Sequence, residues 1–322
     1  MGWRELAGKV KRRVTLSHLV PWMRGEFLRQ QRRLDQLERQ LLRVQEALGR
    51  IESRQTSPGS HDAGGLAAFE FRVHSQWGED GIIDHLVRAV PIARPFFVEF
   101  GVESYVEANT RFLLTQRHWS GLVMDGDAAQ VEQITRRPGV WLHDLRAVQA
   151  FVTRENINRL LSEHDAAGAI GLLSIDIDGM DWWIWDAIEV SRPAIVVVEY
   201  NHRFGPEQAV TVPYAADFDR RRAHHSLCYY GASLAALERL GRRKGYGLVG
   251  CGSAGLNAFF VDEAVRPASL PPRTSVEAWI EGRFNEYHDE SGCRVRRSAV
   301  EQRSMLEGLP LVSVDESGRA VP

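Results

Sequence analysis

Five apolar runs between Phe96 and Asn201 constrain this chain more than any other feature. They are FFVEFGV (96–102), SGLVMDG (120–126), VWLHDL (140–145), GLLSIDIDG (171–179) and AIVVVEYN (194–201). Uninterrupted apolar runs of this length are what a parallel sheet covered on both faces requires. The intervening stretches read as helices, so the region is a β/α alternation. The runs carry acids at or near their ends: Glu99, Asp125, Asp144, Asp176 with Asp178, and Glu199. Ligands of open α/β sheets bind outside the carboxyl ends of the strands. Strand ends meet solvent, and solvent favours Asp and Glu, but so many acids in register point to a functional rim.

After the fifth run the alternation pauses. Residues 202–230 are long and irregular, as lids and binding loops are. ASLAALERLGRRKG (232–245) then reads as a helix ending at Gly245, and YGLVGC and NAFFV flank the Gly-rich reversal GSAGL as a hairpin. The expected fold is α/β, a Rossmann-like sheet of seven strands with an antiparallel last strand. The turn after the first strand, Gly101-Val-Glu-Ser-Tyr, holds a single glycine. A dinucleotide site needs G-x-G-x-x-G there, because the pyrophosphate approaches the backbone closely, so NAD and FAD are not expected.

A different pattern precedes this domain. Leu34, Leu37, Leu41, Val44, Leu48 and Ile51 alternate steps of three and four, and Phe27 extends the pattern by one heptad, the a/d seam of a coiled coil over residues 27–54. Arg33 at g and Glu38 at the following e suit a parallel homo-oligomer. Residues 1–26 are basic and weakly amphipathic. They read either as a lead-in to that helix or as a membrane-surface or partner-docking segment, with Pro21 expected to break or kink it. Residues 55–68 read as a linker, 69–262 as the α/β domain and 263–322 as an extension with a loose end.

Composition excludes several classes. A net charge of −2 gives no drive toward nucleic acid. No apolar run approaches the roughly 18 residues of a membrane span. Three cysteines, Cys228, Cys251 and Cys293, lack metal-ligand spacing and fit a reducing compartment. A cytoplasmic protein is expected, with contact at the inner membrane left to the basic segment.

SQWGEDGI (75–82), FVEFGVESYVEANT (97–110), GLVMDGD (121–127), FVTRENIN (151–158), LLSIDIDGMDWW (172–183), VVVEYN (196–201) and residues 230–261 follow one another in an order that resembles the class I S-adenosylmethionine-dependent methyltransferases. Within them they resemble the FkbM-like branch and members encoded among bacterial surface-polysaccharide genes. The resemblance covers about residues 70–261. It implies that Glu99 and Gly101 lie against the amino-acid part of S-adenosylmethionine, with Gln76 and Asn109 in the same set. Asp125 would bind the ribose hydroxyls with Asp127 close by, and Asp144 to Ala147 would lie near the adenine. Asp176 and Asp178 would stand beside the methyl group and the acceptor. Glu103 and Tyr105 occupy positions where the superfamily commonly has small residues.

The implied acceptor is a hydroxyl of a glycan or nucleotide-sugar. A hydroxyl of high pKa needs a base or a metal. Asp178, Asp181, Glu199 and His202 are the candidate bases. Asp176, Asp178, Glu199 and Asn201 form an oxygen-rich set suited to Mg²⁺ or Ca²⁺. Trp182 and Trp185 share a helical face and read as core. His224, His225, Tyr229 and Tyr230 are candidates for an acceptor pocket, and Arg220, Arg221 and Arg222 for an anionic acceptor. Two rival readings are a non-catalytic scaffold tethered by its coiled coil, and a methyltransferase acting on a protein or small metabolite.

Overall fold

The computed structural model describes residues 3–55, 65–284 and 287–321, with side chains from Met23 onward. Two compact units divide the chain, Met1–Leu48 and Gly49–Pro322. Among the described residues, no helix is long and apolar enough to cross a membrane.

The first unit is helical and lies within α1 (Trp3–Gln55). The helix runs unbroken through Pro21, contrary to the expected break. A proline removes one backbone donor, and a long helix survives that loss when its other hydrogen bonds persist. Phe27, Leu34, Leu37, Leu41, Val44 and Leu48 are all exposed. Of the expected linker, residues 56–64 lie outside the described residues, and Gly65–Phe69 forms a 3-10 turn with Leu66 and Phe69 buried.

The second unit is built on one sheet. Its strands are β1 (Phe96–Phe100), β2 (Ser120–Asp125), β3 (Leu145–Gln149), β4 (Gly168–Ile175), β5 (Ser191–Glu199), β7 (Tyr246–Cys251) and β8 (Asn257–Asp262). The short β6 (Val210–Thr211) belongs elsewhere. The order across the sheet is β3-β2-β1-β4-β5-β8-β7; β1 to β5 run parallel and β8 is antiparallel to both β5 and β7. This is the expected α/β sheet of seven strands. The helices are α2 (Glu79–Ala89), α3 (Arg111–Arg117), α4 (Ala128–Thr135), α5 (Ile157–Glu163), α6 (Asp181–Ala187), α7 (Arg220–Ala223), α8 (Leu234–Lys244), α9 (Ser275–Ala278) and α10 (Ala299–Ser304).

The strands are continuously apolar because both faces are covered. Phe97, Val123, Leu172, Ile195 and Val197 pack with Ile82 and Leu113 on one face. Their neighbours Val98, Leu122, Leu173, Val196 and Val198 pack with Trp182, Trp185 and Leu237 on the other. Successive side chains thus enter two different cores, as the period of two dictates. The chain winds from β1 outward through β2 to β3, then returns to β4 on the opposite side of β1. That reversal opens a crevice at the carboxyl ends of β1 and β4.

Two expectations are corrected. The third strand is Leu145–Gln149, and the apolar VWL before it is an exposed 3-10 turn, with Trp141 80% exposed. An edge strand needs only partial burial, so its sequence carries a weak apolar signal. The chain end is not loose: β9 (Val312–Val314) pairs with β6 and with β10 (Ala320–Val321) in a second, three-stranded sheet.

The last turn of α1 joins the second unit. A Cβ on Gly49 would fall 2.5 Å from Val73 Cγ2, so the glycine lets this turn approach closely. Ser53 Oγ donates to Asp84 Oδ2 at 2.7 Å, and Arg117 Nε donates to Asp84 Oδ1 at 2.7 Å. Arg88 Nε stands 3.1 Å from Asp84 Oδ2. Asp84 is fully buried, so removing it takes a carboxylate partner from two guanidinium groups and a hydroxyl. Asp84→Ala is expected to lower stability by ~3 kcal/mol in urea unfolding; a loss under ~1 kcal/mol would show that the cluster does not hold α1, α2 and α3 together.

Candidate functional site

The crevice at the strand ends is a cavity of ≈1210 Å³. Its floor is the carboxyl edge of the sheet, which delivers Glu99, Asp125, Asp176 and Glu199 from four different strand ends. The loops above deliver Gln76, Trp77, Asn109, Phe151, Tyr214 and Phe284.

The turn after β1 explains how the floor is made. Gly101 has φ +71°, and a Cβ there would fall 1.6 Å from the carbonyl oxygen of Asp176. Only glycine lets β1 and β4 meet so closely. Beyond it, Glu103 and Tyr105 adopt left-handed backbone, with φ 44° and 58°. The loop thus takes a glycine-like path without glycines, at a local strain of about 1–3 kcal/mol per residue. The surroundings hold it there. Asp125 Oδ2 accepts from Glu103 N at 2.7 Å. Arg137 donates to the carbonyls of Ser104 and Tyr105 at 2.5 and 2.8 Å. Glu99 accepts from Asn109 N at 2.9 Å, from Thr110 N at 3.2 Å and from Thr110 Oγ1 at 2.5 Å. Burial raises the Glu99 carboxyl above its ordinary range, and these bonds act against that rise.

The segment before α2 is folded around two carboxylates. Asp80 Oδ2 accepts from the backbone of Val73, His74 and Ser75 at 2.6–2.8 Å. Ser75 Oγ donates to Asp80 Oδ2 and accepts from Asp80 N, both at 3.0 Å, and Gly78 stands at the helix start. Glu79 accepts from Trp77 N, Gly78 N and Asn257 Nδ2 at 2.9–3.0 Å. This arrangement sets Gln76 and Trp77 at the cavity, both exposed.

The carboxylates nearest the end of β4 form a mutually interacting group. Asp176 is raised well above the usual carboxylate range by burial, then by Asp178, Asp181, Glu99 and Glu79. Glu199 is raised by burial and then by Asp176, Asp178 and Asp181, against the pull of Arg220. Tyr230 Oη donates to Glu199 Oε1 at 3.2 Å, and Glu199 Oε2 is buried without a hydrogen-bond partner among the described residues. Asp178, at φ +56°, accepts from Arg220 Nη1 at 2.9 Å.

The structure brings together Gln76, Glu99, Gly101, Asn109, Asp125, Asp127, Asp176, Asp178 and Glu199 from the sequence reading. It separates seven others. Asp144 precedes β3, so it lies at the amino end of its strand, while Ala150, Phe151, Val152 and Thr153 leave the carboxyl end into the cavity. Asp181 is buried and accepts from Ile177 N and Gly179 N, both at 3.0 Å; it shapes the turn after β4, and burial raises it to about 6. His202 is buried against Gly282 and Phe284, and burial followed by Arg203 and Arg303 lowers it to about 3. Asn201 donates to the carbonyls of Cys228 and Tyr230 at 2.8 and 3.0 Å and accepts from Arg203 N. Tyr229 Oη is bonded to the Pro310 carbonyl, away from the cavity.

The rings of His224 and His225 lie 4.2 Å apart between centroids, tilted by 37°, and do not line the cavity. The Trp182 and Trp185 rings are core, and Trp183 Nε1 donates to the Val212 carbonyl at 2.9 Å. The metal set does not assemble: Asn201 is engaged elsewhere and Asp178 is paired with Arg220. Among the described residues, no group of three or more His, Cys, Asp or Glu is placed to hold a metal ion. Sequence reasoning missed Phe151, Phe284 and Arg294 at the cavity. The first followed from misplacing β3. The others come from the C-terminal segment, whose polar sequence carries no signal of return to the site.

No family model matches the chain, and no curated protein does. Among solved structures it is similar to a putative O-methyltransferase from Klebsiella pneumoniae, at 16% identity and TM-score 0.34, over 68% of this chain and 90% of that one. It is similar to the O-methyltransferase TomG from Streptomyces achromogenes in complex with SAM, at 13% identity and TM-score 0.33, over 62% and 91%. It is also similar to M. capricolum TrmK in complex with S-adenosyl-homocysteine, at 6% identity and TM-score 0.31; the match takes in 56% of this chain and 65% of the length of that one.

The raised Glu199 has a thermodynamic consequence. Its folded state holds the proton more tightly than the unfolded chain, so ionising it destabilises the fold once pH passes the ordinary glutamate value of 4.5. Glu199→Gln removes that penalty and can still accept from Tyr230. The stability of Glu199→Gln relative to the parent is expected to rise from pH 4 to pH 8 by ~1 kcal/mol or more in urea unfolding. A difference independent of pH contradicts the assignment.

Proposed function

We propose that the chain is an S-adenosylmethionine-dependent O-methyltransferase acting on a hydroxyl of a sugar or glycan, in the synthesis of surface polysaccharide. The observation that carries the reading is the acid-floored cavity at the β1/β4 crevice, with Asp125 ending β2 at its rim. The donor is a sulfonium cation, and a floor of carboxylates is complementary to it. Asp125 is the acceptor for the ribose hydroxyls, since a carboxylate takes both protons of a vicinal diol. Asp127 caps α4 through Ala129 N at 2.8 Å and keeps that helix start against the site. Gln76, Asn109 and the Gly101 turn face the amino-acid part, and Ala150 and Phe151 the adenine.

The bound donor supplies a methyl group on sulfur that a nucleophile displaces in line. With donor and acceptor bound, an acceptor oxygen would take the methyl group as the carbon–sulfur bond gave its electrons to sulfur, and this chain's part would be to accept the hydroxyl proton on a carboxylate. Glu199 is the base: burial raises its basicity toward what a hydroxyl proton needs, and its Oε2 is buried without a hydrogen-bond partner among the described residues, while Asp178 is engaged by Arg220. Asp181 and His202 are positioned for structure, and no step passes through a metal. Trp77, Phe151, Tyr214 and Phe284 around the opening offer apolar faces on which a sugar ring stacks.

The exposed seam of α1 supports a parallel homo-oligomer, in which Arg33 of one copy meets Glu38 of the next. We place the chain in the cytoplasm, with the basic residues 1–26 available to the inner membrane; the side chains of residues 1–22 lie outside the described residues.

Titration calorimetry tests the cofactor reading. The full chain is expected to bind S-adenosylmethionine and S-adenosylhomocysteine, and Asp125→Ala to weaken both by ~10–100-fold, as the loss of charge-assisted bonds implies. Equal affinity in Asp125→Ala would remove the residue from the site, and no binding at all would favour the scaffold reading. For the seam, Leu37→Glu with Leu41→Glu is expected to reduce the mass by light scattering to that of one chain; an unchanged oligomer would show that another surface joins the copies.

A further inference from the structure

The cavity is polarised in a way that the methyl donor alone does not explain. Carboxylates come from the sheet, at Glu99, Asp125, Asp176 and Glu199. Arginines come from the loops, Arg220, Arg221 and Arg222 on α7 and Arg294 from the C-terminal segment, and the segment that carries α7 also brings Asp217 and Asp219. The donor's sulfonium is a cation, and its one carboxylate belongs to the amino-acid part that faces the Gly101 turn in the proposed pose, which leaves the arginines to a second anion.

The arginines on α7 differ in their engagement. Arg220 is fixed: Nε donates to the Leu227 carbonyl at 2.7 Å, Nη1 to Asp178 at 2.9 Å, and its guanidinium lies 4.0 Å above the Tyr230 ring. Its side chain is 12% exposed. Arg221 and Arg222 are exposed at the cavity, and among the described residues no carboxylate pairs with either side chain. The neighbouring Asp219 carboxylate caps the helix, accepting from Arg221 N at 2.9 Å. Guanidinium geometry matches phosphate and carboxylate oxygens two at a time.

We propose that Arg221 and Arg222 hold an anionic group of the acceptor, so that the substrate is a hydroxyl compound bearing a phosphate or a carboxylate, such as a sugar phosphate or an acidic sugar. The inference rests on the methyltransferase reading for where the reacting hydroxyl lies, but not for the anion site itself. The two walls then load two ligands in one orientation. The acid floor repels the anion and attracts the sulfonium, while the arginine wall does the reverse, which turns the acceptor hydroxyl toward Glu199.

The test uses the full chain, with and without saturating S-adenosylhomocysteine, titrated with glucose 1-phosphate, glucuronate and methyl glucoside. An anionic probe is expected to bind at least about tenfold more tightly than methyl glucoside, with an affinity that falls as salt rises. Arg221→Ala with Arg222→Ala is expected to weaken the anion by ~10-fold or more and to leave the affinity for S-adenosylhomocysteine within about twofold. Preference for glucose 1-phosphate assigns a phosphate, and preference for glucuronate a carboxylate. Equal binding of methyl glucoside, failure of both anions to bind, or full anion affinity in the double variant overturns the proposal. Arginine-dependent anion binding by a chain that does not bind S-adenosylhomocysteine would keep the anion site and overturn the methyl-donor reading instead.

Discussion

The close approach of β1 and β4 at Gly101 is the constraint on which the rest of the site depends. With the Asp176 carbonyl 1.6 Å from where a Cβ would lie, the two strands can end side by side only because position 101 has no side chain. That approach places Glu99, Asp176 and Glu199 at one edge. The next residues, Glu103 and Tyr105, take left-handed backbone, which bonds to Asp125 and Arg137 hold, while Glu99 fixes Asn109 and Thr110 at the far end of the loop. Carboxylates and a guanidinium thus fix a loop path that glycine would only permit.

Crowding carboxylates in a partly dry crevice has an electrostatic result. Burial disfavours ionisation at Asp176 and Glu199, and each neighbouring acid adds to the effect. Such a group of acids is poised to receive a positive charge. A cationic ligand would relieve the repulsion and lower the proton affinity of its neighbours. Arg220 does this in part, from a position anchored between Tyr230 and Asp178. The same segment carries the cations proposed to meet the acceptor, so one loop serves both the internal balance of the site and its selectivity.

Much of this was legible in the residues. The strands at 96–100, 120–125, 168–175 and 191–199 announce themselves because both faces are buried, and the closing hairpin follows from its turn residues. Strand β3 escaped because an edge strand is half-exposed, while the more apolar VWL nearby forms a turn. That slip put Asp144 at the wrong end of the sheet and hid Phe151. Asp181, Asn201 and His202 failed for another reason: they follow strand ends in sequence, but their side chains turn inward to satisfy backbone groups or to pack. Proximity in sequence to a rim says nothing about side-chain direction. The contribution of Phe284 and Arg294 depends on tertiary return of a polar segment, for which no local periodicity exists.

The central claim, that an acid-floored cavity binds a methyl sulfonium, is tested most directly by counting protons. Calorimetric titrations of the full chain with S-adenosylmethionine and with S-adenosylhomocysteine, near pH 6 in buffers of different ionisation enthalpy, give the protons released by each ligand. The sulfonium is predicted to drive protons off the Asp176 and Glu199 pair, the neutral thioether to release fewer, and Glu199→Gln to reduce the difference. Equal proton release by the two ligands, or failure of either to bind, would contradict the account.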